Sequence, residues 1–170
     1  RMGALNEEMK AVMVRSLRES YDAVLKMAEA GEPMAQYTVG LFYFWGDMLF
    51  RFQKPSKEEF DRCEKENAQV ALKWFCRSAE QGCIPAFRNA FNGMRGGINS
   101  IPKDPKEALR WAESVKDKVD MRDYYYSMVV EYQRLKDYGN ANRWCRIGME
   151  AGDSSCIVSL GLVYLEGDKG

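Results

Sequence analysis

The sequence predicts an all-α fold assembled from a repeated pair of short helices, stacked as an α-solenoid. Three observations carry this reading. Apolar residues recur at helical spacing, as at Met9, Val12, Met13, Leu17, Val24, Leu25 and Ala28, and no stretch of strict alternation competes with them. The turn-forming residues fall between such stretches: the five prolines, Pro33, Pro55, Pro85, Pro102 and Pro105, sit at helix starts or in loops. A pattern of small, apolar and aromatic residues then returns several times within the 170 residues.

The elements follow in order. A first helix runs from Asn6 to Ala30 and closes at Ala28-Glu29-Ala30-Gly31. The next helix carries Ala35, Val39-Gly40 and Tyr43 and ends at Gly46. Residues 47–67 read as an inter-helix insertion with Met48, Leu49, Phe50 and Phe52 followed by Lys57-Glu58-Glu59. It is an insertion because Gly46 to Ala71 spans 25 positions, against 11 from Gly97 to Ala108. Ala71-Leu72-Lys73-Trp74 then opens a motif that returns as Ala108-Leu109-Arg110-Trp111 and Ala141-Asn142-Arg143-Trp144, with tryptophans 37 and then 33 residues apart. Ala79-Glu80-Gln81-Gly82 is followed by Ala86, Ala90, Met94 and Gly97. Asp104-Pro105-Lys106-Glu107 is a compact helix start, with a capping residue, proline in the first turn and an acid three residues after the cap. The third unit lacks its turn glycine, and its best register puts Tyr124, Met128, Val129 and Tyr132 in the buried positions. The last copy reads Glu150-Ala151-Gly152, Cys156, Leu160-Gly161, Tyr164 and Gly167. The chain stops at Gly170, inside the motif, so the natural protein is expected to continue with at least the pairing helix.

The offsets from each turn glycine have a physical meaning. Positions four, eight and twelve form one stripe along a helix. Small residues at four and nine let a neighbouring helix approach closely, and the aromatic or Met at twelve fills the space between helices. Glycine at fifteen ends the helix in the left-handed conformation. The tryptophan belongs to the second helix, where its indole wedges between units. A helix pair of this kind cannot bury its apolar face alone, and stacking pairs buries it.

Ala-Glu-x-Gly, the Ala-x-x-x-(Leu/Val)-Gly-x-x-Tyr core and the closing glycine resemble the Sel-1-like repeat over roughly residues 20–170. The stretch Ile101-Pro102-Lys103-Asp104-Pro105-Lys106-Glu107-Ala108-Leu109 is similar to that family's inter-helix connection. The tetratricopeptide repeat has a close period, but the Ala-Glu-x-Gly turn and the glycine-punctuated loop favour the Sel-1-like pattern. The resemblance implies a right-handed α-α superhelix of about four helix-turn-helix repeats, the whole of 1–170 forming one solenoid, with the first helix of each pair on the concave side. The cysteine-rich branch of the family, associated with penicillin binding, pairs a cysteine at the alanine before Glu-x-Gly with one eight residues later. Here those positions hold Ala28 and Gln36, Ala79 and Phe87, and Met149 and Ile157, so the stapled branch and its weak hydrolase activity stand as a third reading only.

Composition narrows the chemistry. Lys plus Arg and Asp plus Glu number 25 each, so the formal net charge is zero, and a dedicated nucleic-acid binder is not expected. No apolar run approaches the roughly 18 residues of a membrane span. The absence of histidine removes Ser-His-Asp, Cys-His and His-ligated metal mechanisms from this sequence. Cys63, Cys76, Cys83, Cys145 and Cys156 form no C-x-x-C, and their odd number favours free thiols in a reducing, cytoplasmic setting, with no metal and no cofactor. Arg1-Met2-Gly3 does not read as a signal peptide. Ser100-Ile101-Pro102-Lys103 matches the Ser-x-x-Lys of penicillin-binding enzymes, but Pro102 puts it in a loop where one helical turn cannot bring lysine beside serine. With neither a nucleophile–base pair nor a carboxylate dyad, the chain is not expected to be an enzyme.

The expected function is protein–protein interaction, as an adaptor or scaffold. The alternative is a regulatory or targeting domain of a larger multidomain enzyme. With the buried arc fixed, offsets six, ten and thirteen point away from it at about 100° per residue. They hold Tyr37, Leu41 and Phe44, then Arg88, Asn92 and Arg95, then Tyr126, Val130 and Gln133, then Val158, Leu162 and Leu165. Tyr37, Leu41, Phe44, Arg88, Asn92, Arg95, Tyr126 and Val130 are therefore the candidate partner-binding residues. An aromatic patch followed by a cationic one suits a peptide with apolar anchors and an acidic residue.

Overall fold

The computed structural model describes residues 7–45, 56–97, 102–122 and 124–167, without the side chains of 7, 8, 10, 60, 61 and 162–167. The described residues form eight helices and no strand. They fall into two compact units, Arg1–Asp104 and Pro105–Gly170.

The first unit holds α1 (Glu7–Glu29), α2 (Pro33–Phe44), α3 (Lys57–Ala79) and α4 (Ile84–Gly96). α2 packs against both α1 and α3, and α3 packs against α4. Ala28, Ala35 and Val39 are buried where α1 meets α2, and Val24, Leu25, Tyr43 and Trp74 close over them. The indole of Trp74 thus reaches from α3 back to the preceding helix pair. Gly40 lies so close to α3 that a Cβ there would stand 2.6 Å from the Phe75 ring. Side chains also stitch the turns together. Ser78 Oγ donates to the carbonyl of Pro33 at 2.6 Å, Gln36 Nε2 to Ala28 at 3.1 Å, and Gln81 Nε2 to Gln36 Oε1 at 2.8 Å. Each satisfies a polar group at or near the buried seam.

The second unit holds α5 (Pro105–Val115), α6 (Tyr125–Arg134), α7 (Tyr138–Glu150) and α8 (Ser154–Gly167). α7 packs against α6 and α8, α6 touches α8, and α5 meets α6. Tyr124, Met128, Val129 and Tyr132 are all buried, as the register of the degenerate unit requires. The turn glycine missing from the α5–α6 connection is replaced by a longer link in which Val119 and Met121 are buried.

The three Ala-Glu-x-Gly-type turns are built alike. Gly31, Gly82 and Gly152 have φ of 100°, 91° and 87°, the left-handed region. In each, the glycine N–H bonds the carbonyl three residues back, at 3.1, 2.8 and 3.0 Å, and the next N–H bonds the carbonyl five back, at 3.1, 3.3 and 2.8 Å. These bonds close the last helical turn in the manner of a Schellman motif. The α6–α7 turn makes the same two bonds, from Lys136 to Gln133 and from Asp137 to Tyr132, both 2.9 Å. There the left-handed residue is Lys136, at φ 60°, a conformation that costs a side-chain-bearing residue about 1–2 kcal/mol.

The 47–67 insertion differs from its sequence reading. Residues 57–67 are the first three turns of α3, because Ser56 caps the helix: its Oγ accepts from Glu59 N–H at 3.3 Å while Glu59 Oε2 accepts from Ser56 N–H at 2.9 Å. Gly46, Met48, Leu49, Phe50 and Phe52 lie outside the described residues.

Candidate partner-binding faces

α2 and the residue after it, Pro33 to Trp45, contain no charged side chain. A helix with no charge on any face is normally covered on most of its faces. α1 covers one flank and α3 a second. On the third side lie Met34, Thr38, Leu41 and Trp45, spaced i, i+4, i+7 and i+11. Met34 is 53% and Trp45 65% exposed, and Leu41 is half-buried. Tyr37 and Phe44 lean toward α3 instead, their ring centroids 5.8 and 6.1 Å from that of Phe75. The cause is Gly40. With no Cβ at 40, Phe75 inserts there, and residues three before and four after Gly40 flank its ring. Counting offsets along the helix put Tyr37 and Phe44 on the face away from the buried stripe and did not select Met34 or Trp45 as contact residues. The signal was present in the run of fourteen uncharged residues between Glu32 and Asp47.

On α4, Arg88 and Asn92 are exposed, and half-buried Arg95 sets its guanidinium 5.7 Å from the centroid of the buried Phe91 ring. Phe91 itself stacks on Phe87 at 5.7 Å. The opposite flank of α4 is packed through Ala86 and Ala90. Met34 Sδ lies 3.8 Å from Cys83 Sγ, so the α2 stripe begins beside the start of α4.

In the second unit Tyr126 is 46% exposed and Val130 half-buried. Tyr126 borders an open cleft of about 520 Å³ with Arg122 and the first turn of α8. Arg122 is bound to Asp120, whose carboxyl it holds below the usual range. Val158 is 73% exposed, and the side chains of Leu162 and Leu165 lie outside the described residues.

Glu113 is a polar hub that the sequence did not single out. Its Oε1 accepts from Trp144 Nε1 at 2.6 Å, from Tyr132 OH at 3.1 Å and from the Arg143 guanidinium, and Lys116 Nζ is 3.7 Å from Oε2. One carboxylate of α5 thereby ties α6 and α7, and burial beside that charge pushes the Tyr132 phenol up to about 12. Apart from Lys116, its partners stand 19 to 31 residues downstream, beyond any local motif.

All five cysteines are free. Burial pushes the Cys76 and Cys156 thiols up to about 12, with Glu80 and Asp153 adding to the effect, and raises Cys145. Among the described residues no group of three or more Cys, Asp or Glu side chains is placed to hold a metal ion, and no helix is long and apolar enough to cross a membrane. Ser100 and Ile101 of the Ser-x-x-Lys match lie outside the described residues, and Pro102 and Lys103 are exposed in the irregular segment before α5. Comparison with protein-family models, curated proteins and solved structures returned no match.

Proposed function

We propose that this chain is a protein–protein interaction module whose helix pairs stack as a right-handed solenoid of Sel-1-like repeats. It serves as an adaptor or scaffold by holding a peptide or helix of a partner. The observation that carries the reading is the uncharged α2, on which Met34 and the adjoining Trp45 are exposed and Leu41 half-buried. Contiguous exposed apolar side chains on a helix mark interaction surfaces. Arg88 and Asn92 on α4 supply polar contacts at its edge, which suits a ligand combining apolar anchors with an acidic group. Tyr126 and Val130 are the corresponding positions of the second unit.

The test compares proteins captured from source lysate by the wild-type chain and by Leu41→Asp, each followed by mass spectrometry. The reading expects one or more partners to be lost with Leu41→Asp while circular dichroism stays unchanged. Arg88→Glu should weaken the same partners without unfolding the chain, since exposed substitutions usually change stability by less than about 0.5 kcal/mol. An identical set of captured proteins in all three would overturn the assignment of this face.

A further inference from the structure

α2 and α8 follow their turn glycines, Gly31 and Gly152, so each position of one helix has an equivalent in the other. Toward the preceding helix the two agree. Ala35 of α2 and Cys156 of α8, each four residues after its glycine, are both buried. On the next side they part. In α2 that side is covered by α3. Gln36, five after the glycine, is 6% exposed and accepts from Gln81, just past the end of α3. Tyr37, six after, is half-buried against the Phe75 ring, and Gly40, nine after, receives that ring. The equivalents in α8 are uncovered. Ile157 is 56% and Val158 73% exposed, and Gly161 is exposed with nothing within 4 Å of where a Cβ would stand. No residue from Ser154 to Leu165 is charged.

We propose that the Ile157–Val158–Gly161 side of α8 binds an amphipathic helix of a partner protein, one that sets a phenylalanine ring over Gly161 with an alanine one turn to either side. The surface is separate from the α2 face and lies wholly within the second unit. The α2–α3 pair selects the occupant. The face that α3 buries holds Ala71, Phe75 and Ala79, spaced i, i+4 and i+8 and all fully buried. Small residues beside the ring let the helices approach closely, and the missing Cβ of the glycine accepts the ring. The same glycine stands open on α8, flanked by apolar side chains that water now meets. Ala71-x-x-x-Phe75-x-x-x-Ala79 is the one Ala-x-x-x-aromatic-x-x-x-Ala pattern in the 170 residues, and it is already buried in the first unit, so no other segment of this sequence supplies it.

The experiment titrates the full chain into a fluorescein-labelled peptide with the sequence of residues 56–80, serine replacing both cysteines, and follows anisotropy. The same peptide with Phe75→Ala is the comparison probe. The phenylalanine peptide should bind at least about tenfold more tightly than the alanine one, as expected where a buried aromatic anchors the contact. In the chain, Gly161→Leu fills the slot and Val158→Asp charges its edge. Each should weaken the phenylalanine peptide at least about tenfold while circular dichroism and the melting temperature show a folded protein. Equal binding of the two peptides would overturn the proposal. So would binding that survives both α8 substitutions, which would put the peptide on another surface. A wild-type chain that dimerises in sedimentation and becomes monomeric with Gly161→Leu would give this face to a second copy and overturn the assignment to a partner protein.

Discussion

Replacing Gly148 with alanine tests the packing of the second unit more sharply than any larger change. A Cβ at this position would fall on Cys156 Sγ and stand 3.0 Å from both Cys156 Cβ and Tyr125 Cβ. Carbon pairs prefer about 3.5–4.0 Å, so α7 must move away from α6 and α8 together. Rotation of the thiol relieves only the sulfur contact, because the two Cβ atoms are fixed to backbone. Overpacking of this kind costs about 1–3 kcal/mol. Alanine recovers about 1 kcal/mol of helix propensity, so the net effect is a loss of up to about 2 kcal/mol. Gly161 supplies the control: it lies in α8, and a Cβ there would meet nothing within 4 Å. Gly161→Ala should therefore gain up to about 1 kcal/mol. The assay is urea unfolding followed by circular dichroism at 222 nm, with both variants and the wild type at one protein concentration. If Gly148→Ala proves as stable as Gly161→Ala, the close α7–α8 approach is wrong.

Glu113→Ala should destabilise by about 2–3 kcal/mol in thermal melts, since it strands the Trp144 N–H and Tyr132 hydroxyl that it now accepts from; a loss under 0.5 kcal/mol would discount the hub. Ser56→Ala should cost about 1 kcal/mol and expose residues 57–63 to faster amide exchange, as expected for loss of the α3 cap. Thiol titration should count five groups after denaturation and fewer in the native chain at pH 8, because Cys76, Cys145 and Cys156 are held protonated by burial; three or fewer after denaturation, restored by reductant, would show disulfides. The same raised groups set a pH dependence. Cys76 and Cys156 move from 9.0 to about 12 and Tyr132 from 10.0 to about 12 on folding, so their contribution is complete below about pH 9 and is lost as pH rises toward 12. A melting temperature flat up to pH 11.5 would contradict this.

Much of the helical framework was legible because it depends on local chemistry. The turn glycines at 31, 82 and 152 follow from Ala-Glu-x-Gly-type patterns that only a left-handed residue completes. The buried stripe of the degenerate unit, Tyr124 to Tyr132, follows from helical periodicity even without its glycine. Contacts set by distant residues were harder to read. Gly40 and Gly161 share one offset, yet Gly40 receives the Phe75 ring and a Cβ on Gly161 meets no neighbour. Phe75 therefore draws Tyr37 and Phe44 toward α3, which no count along α2 alone could reveal. The Ser56-Lys57-Glu58-Glu59 capping box was present in the sequence but was read as a charged run within an insertion. Lys136 escaped notice because its turn has glycine geometry without glycine.

The central claim is that the uncharged α2 helix, with the exposed edge of α4, is a partner-binding surface. Hydrogen exchange on the complex with a partner lost from the Leu41→Asp capture tests it most directly. The account predicts slowed exchange in 33–45, with a smaller effect in 84–96. Bound partner that leaves 33–45 unchanged while slowing exchange elsewhere would contradict it.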